Sequence, residues 1–290
     1  MFKIISDGAC DFTPELATKN NVHIVPFYVT FDGNTFFKEG IDISNDDYFA
    51  RLVSDKDTFP KSSQPSPEDY ISACSPYLEE GSDVLILTIS SGLSGSHQSA
   101  TIAKTYLLEK YPERKVSVVD SRSATAGQAL LLHEIIKIRD QNLSIETAES
   151  YAKEASKDVK IYFTLETLEY LQRGGRVGKA AALIGGMLNL KPVLSISEGV
   201  ANPVAKVRGK KKAMAEILDI FAKDIAERKS ELVYGIIHIR NLEEGQEFQK
   251  ELESKVGVAF ENEPVGIGAT IGTHVGPGGV GLAFVPKFKG

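Results

Sequence analysis

Residues 84–99, VLILTISSGLSGSHQS, constrain the fold most, because a run of branched aliphatic residues stops abruptly in a cluster of serines and glycines. The uncharged stretch 84–89 has the length and composition of a strand covered on both faces, and Ala100, Ala103 and Leu107 then recur at helical spacing. Residues 90–96 are therefore expected to form a strand-to-helix turn. The first backbone N–H groups of a helix lack intrahelical partners and the dipole there is positive, which favours an anion. Serine hydroxyls add donors, while Gly92 and Gly95 let the backbone turn tightly and approach a ligand. Plain N-capping by Ser94 or Ser96 accounts for the same residues without any ligand.

The chain has 290 residues, long for one core and suited to two domains. Its formal charge of −6 offers no broad basic surface, which argues against nucleic acid as a partner. The densest basic run, Lys206, Arg208, Lys210, Lys211 and Lys212, reads as the solvated start of a helix. No uncharged apolar stretch approaches the roughly 20 residues of a membrane helix, so no stable membrane insertion is expected. Residues 1–6 are cut short by Asp7 and do not read as an export signal. Cys10 and Cys74 fit neither a CxxC motif nor a disulfide framework, and a reducing cytoplasm is the expected location.

Strand and helix patterns alternate along the first half. A strand at 2–5 is followed by a helix capped by Thr13 with Pro14 at its first position, an edge or irregular strand at 22–31, and a helix capped by Ser44. The loop 60–67, PKSSQPSP, is stiffened by its prolines, and Ser66 starts a further helix. Strand 115–120, a helix opened by Ser123, and a helix at 144–157 complete the half. Such alternation implies a parallel sheet, in which ligands gather beyond the carboxyl ends of strands. A change of character near Lys160 marks a domain boundary, giving domains at 1–158 and 159–290. In the second, 161–165 is a strand, 180–190 a buried helix, and 191–197 with 204–208 a hairpin whose loop is longer than the tightest class. Helices at 213–225 and 242–255, strands at 232–239 and near Val258, and a glycine-dense tail from 266 to 282 follow.

The chemistry of conversion is poorly supplied. Gly92 to Ser96 reads Gly-Leu-Ser-Gly-Ser, so the nucleophile-elbow spacing is not met. RGGRVGKA at 173–180 has alanine where a phosphate loop needs a hydroxyl for Mg²⁺. The five histidines show no paired ligand spacing, so no metal and no cofactor are expected. What remains is neutral donors on separate loops: Ser62 and Ser63, Ser94 to Ser96, and His274. Such donors can pair the oxygens of a buried carboxylate.

KSSQPSP at 61–67, SSGLSGSHQSA at 90–100, LQRGGRVGKAAALIGGMLNLKPVLSI at 171–196 and IGTHVGPGGVG at 271–281 together resemble the DegV family, fatty-acid-binding proteins that include the FakB-like carriers. With SDGACDF near the start, the motifs span the chain in family order. The resemblance implies an α/β fold of two domains, an N-terminal parallel-sheet unit and a second α/β unit with a mixed or antiparallel sheet covering an acyl tunnel. It implies a long-chain fatty acid such as palmitate as ligand, held by Ser62 and Ser94 with Ser63, Gly95 and His274 around the carboxylate. The family commonly has threonine where this chain has Ser62. The resemblance also implies a lipid-binding carrier rather than an enzyme, served by a separate ATP-dependent fatty acid kinase that docks at Arg173 and Arg176. The competing expectation is a serine-dependent acyl hydrolase.

Overall fold

Short polar sequences fix the helix starts. In the computed structural model, which describes residues 2–55, 59–183 and 190–290, Thr13, Ser44 and Ser144 each accept a backbone N–H three residues on. Ser66 and Asp69 close a reciprocal capping box, with Pro67 as the first helical residue. Each such cap is worth about 1 kcal/mol. Between the helices, largely apolar strands assemble a four-stranded parallel sheet in the order Val22–Val25, Phe2–Asp7, Asp83–Thr88, Val116–Asp120. Helices Pro67–Glu79 and Ser96–Lys110 bury Tyr70, Cys74, Ala103 and Leu107 against Ile5, Val84 and Ile86 on one face. Helices Thr125–Asp140 and Ile145–Ala155 cover the other.

The second domain is a six-stranded mixed sheet, ordered Val200–Arg208, Leu190–Ser197, Lys160–Leu165, Gly279–Pro286, Leu232–His238, Val265–Gly266. All its pairings are antiparallel except the last. Strand alternation divides its side chains: Tyr162, Tyr234, Leu282 and Phe284 meet helices Lys210–Asp224 and Leu242–Val256, whereas Ile161, Phe163, Ile237 and Val285 point toward the parallel-sheet domain. Helix Thr125–Asp140 lies between the sheets and is buried on nearly every side, Glu134 and Arg139 included. A small antiparallel sheet, Phe37–Lys38, Tyr28–Thr30, Lys61–Ser63, sets Val29 opposite Ser62.

Several local expectations change. The stretch 22–31 is two strands in two sheets, broken at Pro26, which cannot donate to a ladder. The hairpin strands are longer than expected and joined by only Glu198 and Gly199, both at positive φ (53° and 80°), as tight hairpin turns require. Pro203 is absorbed by a register shift before Ala205, and Lys206 and Arg208 belong to this strand rather than to a helix. The helix expected at Ser123 begins at Thr125, after Ala124, without a side-chain cap. Residues 178–183 form a short 3₁₀ segment in which Ala180 is buried and Ala181 and Ala182 are exposed; the rest of the helix expected to 190 lies outside the described residues up to Leu190, which starts a strand. The last strand before the tail is Val265–Gly266 rather than one at Val258, and the tail contains the helix Ala269–Val275.

Candidate functional site

The central loop is fastened at both ends. Asp7, buried where the first strand ends, accepts from Ile89 N at 2.9 Å and Ser96 Oγ at 2.7 Å on one oxygen, and from Gln128 Nε2 at 2.9 Å on the other. Burial raises its pKa above the ordinary carboxylate value, and the donors from Gln128, Ser96 and Ile89 oppose that rise. Asp120 takes both N–H and hydroxyl of Ser91. The second domain holds the loop as well: Gly199 O accepts from Ser90 Oγ at 2.6 Å, and Arg176 Nε donates to Leu93 O at 3.0 Å. Ser94, between these anchors, accepts Ser96 N–H at 3.2 Å, so its own proton remains free to donate. Gly95 is the N-cap of helix Ser96–Lys110, and Gln64's amide occupies the space a side chain there would need.

Ser62 Oγ lies 2.8 Å from His274 Nε2, joining the small sheet to helix Ala269–Val275 across 212 residues of sequence. Nδ1 of His274 is buried without a hydrogen-bond partner among the described residues and faces Gly174. Burial first, and Arg176 second, hold the imidazole pKa down to about 4, so the ring is neutral at pH 7. An orphaned acceptor is cheaper to bury than an orphaned donor, which favours the tautomer with the proton on Nε2. In that tautomer the imidazole donates to Ser62 and turns the Ser62 proton outward.

These donors share one cavity of about 330 Å³ between the two sheets. Ser62, Ser63, Ser94, Gln64, Arg176 and His274 line it together with aliphatic and aromatic side chains from both domains, among them Phe27, Ile161, Phe163, Ile237 and Ile271. Gly95 stands behind Gln64, and Arg173 is set apart, paired with Glu169 at 3.0 Å and stacked 3.6 Å from the Phe59 ring centroid. Arg176, singled out in the sequence as partner-facing, also lines the cavity. Gln64, Thr125 and Thr270 line it as well without having been singled out. Gln64 could have been, since it sits in the stiff loop beside Ser62 and Ser63. The apolar walls could not, because they are ordinary strand, helix and loop residues scattered from 27 to 280.

Among the described residues no group of three or more His, Cys, Asp or Glu could hold a metal ion, and no helix is long and apolar enough to cross a membrane. A family model described as an uncharacterised protein of the DegV family matches residues 1–287. This chain belongs to the DegV family. A DegV domain-containing protein of Clostridium acetobutylicum is 31% identical over 284 residues, covering 97% of this chain and 96% of its own. Among solved structures, a stearic acid-binding protein from Eubacterium ventriosum superposes with a TM-score of 0.94 at 37% identity, covering 99% of each chain. A DegV family protein from Thermus thermophilus, described by its fatty acid binding, gives 0.86 at 31% identity over 98% of this chain and 99% of its own. DegV-family structures thus bind fatty acids, and the α/β fold with one parallel and one mixed sheet is the DegV fold.

Proposed function

We propose that this protein binds one long-chain fatty acid, of the palmitate class, between its domains, with the carboxylate on the hydroxyls of Ser62 and Ser94. The observation that carries the reading is a largely apolar cavity provided with free hydroxyl protons, of a volume within the usual range for small-molecule sites. Ser63 and Gln64 stand beside the head group, Gly95 lets the Ser94 loop pack against Gln64, and His274 orients Ser62. Burial of roughly 14 methylenes at about 0.8 kcal/mol each supplies on the order of 10 kcal/mol before the costs of association. Charge-assisted hydrogen bonds add about 1.5–3 kcal/mol each and fix direction and depth. Shortening the acid by four carbons therefore weakens binding more than deleting one hydroxyl.

Mass spectrometry of protein denatured directly after purification tests the ligand: a co-purified C16–C18 acid is expected. Replacing Ser62 and Ser94 together by alanine should lower palmitate affinity at least tenfold with the thermal midpoint retained. Wild-type affinity in that double variant would remove both from the site.

The Ser62–His274 pair also looks like a nucleophile with its base, which bears on a hydrolase. Two features oppose that role. No described residue hydrogen-bonds Nδ1 to orient it, and burial beside Arg176 penalises the imidazolium that base catalysis would create. Incubation with acyl esters is expected to give no turnover.

The carrier reading extends to a separate ATP-dependent fatty acid kinase acting on the bound carboxylate, in the cytoplasm, with no cofactor in this chain. Arg173 is exposed at the rim near Ser62 and suits a docking contact with a partner's carboxylate. Arg173→Ala should keep palmitate affinity while lowering acyl-phosphate formation at limiting carrier concentration. Loss of both activities together would instead make Arg173 part of the ligand site.

A further inference from the structure

The helix Thr125–Asp140 opens on the cavity with a strained residue. Its N-cap is Ala124, which brings no side-chain cap, and Thr125 follows with a φ of 45°. That left-handed value suits glycine or asparagine and is an outlier for a β-branched side chain. Strain of this kind persists where the side chain has a use that an easier residue lacks. Thr125 is 4% exposed and lines the cavity together with Ala124, Ile161 and Ile196. Its Oγ1 accepts from the adjacent Ala126 N, so its proton remains free to donate. The other threonines of the lining differ. Thr270 donates its hydroxyl to Glu39. Thr164 is out of phase with Phe163 and Leu165 and pairs in register with Val193 and Val280, in the layer under the second domain's helices. Ser123, wholly buried two residues before Thr125, sets its Oγ against Gly127 with no partner among the described residues, so hydrogen-bonding capacity is in surplus at this helix start.

Sheet order places the Thr125 hydroxyl along the acyl chain rather than at its head. Ser62 belongs to the small sheet, which follows the edge strand Val22–Val25; Ser94 follows the inner strand Asp83–Thr88; Thr125 follows the opposite edge strand Val116–Asp120. The last two strands are neighbours, about 4.8 Å apart, and Ser90 N donates to Ser123 O at 2.8 Å between their loops. Ala126 then packs on Gly235, in the strand whose Ile237 lines the cavity. A carboxylate shared by Ser62 and Ser94 therefore leaves Thr125 facing the body of the chain. We propose that Thr125 forms a mid-chain oxygen subsite, donating to a hydroxyl or keto group carried on the chain of an oxygenated long-chain fatty acid. The subsite rests on the fatty-acid reading above and names a ligand class within it. A saturated chain buries the Thr125 proton against methylenes, whereas a chain oxygen at the matching depth accepts it. At other depths the same oxygen meets apolar walls, so the cavity selects the position of the group as well as its presence.

The test is calorimetric titration of the delipidated full chain, and of Thr125→Val and Thr125→Ser, with stearate and its 3-, 6-, 8-, 10- and 12-hydroxy derivatives. Valine keeps the branched shape and removes the hydroxyl; serine keeps the hydroxyl and removes the methyl. In the wild type, one isomer or two adjacent ones should bind at least as tightly as stearate, with the others weakened about tenfold. Thr125→Val should lose the favoured isomer tenfold or more relative to stearate, with stearate itself within threefold of wild type, and Thr125→Ser should retain the preference. The same ranking of isomers in wild type and Thr125→Val overturns the subsite and leaves the fatty-acid reading intact. A uniform loss across all isomers in the wild type overturns it too, and decides the matter even where the valine variant does not fold. Binding of a hydroxystearate without binding of stearate supports the subsite and corrects the fatty-acid reading, and binding of none of these acids overturns both.

Discussion

Gly174 bears on the site without touching any ligand. Its φ is −74°, an ordinary value, yet a Cβ there would overlap His274 Nδ1. Gly174→Ala should therefore fold normally while turning the imidazole away from Ser62. The lost orientation of one hydroxyl, worth about 1–1.5 kcal/mol net, predicts a roughly tenfold fall in palmitate affinity. Unchanged affinity would mean that His274 does not set the Ser62 proton. The titration of His274 gives a second reading. Its folded pKa, about 4, lies below the unfolded value, so the unfolded chain binds more protons between about pH 6.5 and 4. The contribution of the neutral ring is complete above that window and is lost as pH falls through it. A ¹⁵N spectrum of the ring should show it neutral down to pH 5, and a midpoint at 6 or above would refute the burial argument. At this scale the sequence was informative about polar residues: Ser62 and Ser63 stand out because no helix cap requires them, whereas Ser94 reads equally as a cap and accepts Ser96 N–H. Gly174 does not stand out, because its reason lies on a helix a hundred residues away.

The helix Ala269–Val275 carries His274 and is held by the other domain. Its first N–H groups are met by three distant side chains: Asp11 accepts Gly268 N at 3.0 Å, Asn45 accepts Ala269 N at 3.0 Å, and Glu39 accepts Thr270 N at 3.1 Å. Glu39 also accepts the Thr270 hydroxyl. Such a helix is illegible in a glycine-dense stretch, since seven residues are too few to form alone and the groups that finish its end come from 11, 39 and 45. The hairpin turn was missed for a related reason, as Glu198 at positive φ carries none of the usual asparagine or glycine signal. The clasp is electrostatically uneven. Burial, and then Glu39, push Asp11 well above the ordinary carboxylate pKa, with Asp7 adding further; Glu39 is raised by burial against its donors from Thr270 and Ala269. A carboxyl with a raised folded pKa contributes stability in full at acid pH and loses it as pH rises through that pKa. Asp11→Asn keeps the acceptor for Gly268, removes one charge, and suits the left-handed φ of 56° at this position. It should stabilise the protein by on the order of 1 kcal/mol at pH 7, with the gain vanishing by pH 4. Urea midpoints across pH measure this, and destabilisation at pH 7 would show that the charged pair is the favourable form.

At the scale of the whole molecule, the parallel half was readable because its sheet strands are rich in aliphatic residues and four of its helices start on a side-chain cap, at Thr13, Ser44, Ser66 and Ser144, whereas the joining of the halves was not. We propose that the domains divide at 158/159, yet the largest apolar cluster runs across that line, with Leu87, Leu131 and Ile135 on one side and Ile161, Ile196, Ile237 and Val285 on the other. The chain end returns as well: Tyr151 donates to Pro286 O at 2.7 Å, and Phe288 N donates to buried Glu134 at 2.7 Å. Separating the domains would expose this shared core, so neither half retains its apolar face when the other unfolds. A single calorimetric transition is expected, with calorimetric and van't Hoff enthalpies equal. Palmitate, bound only by the assembled cavity, should raise that one midpoint as its concentration grows, by RT ln(1 + [L]/Kd). Two resolved transitions, only one of them moved by palmitate, would place the ligand within a single domain and refute the shared core.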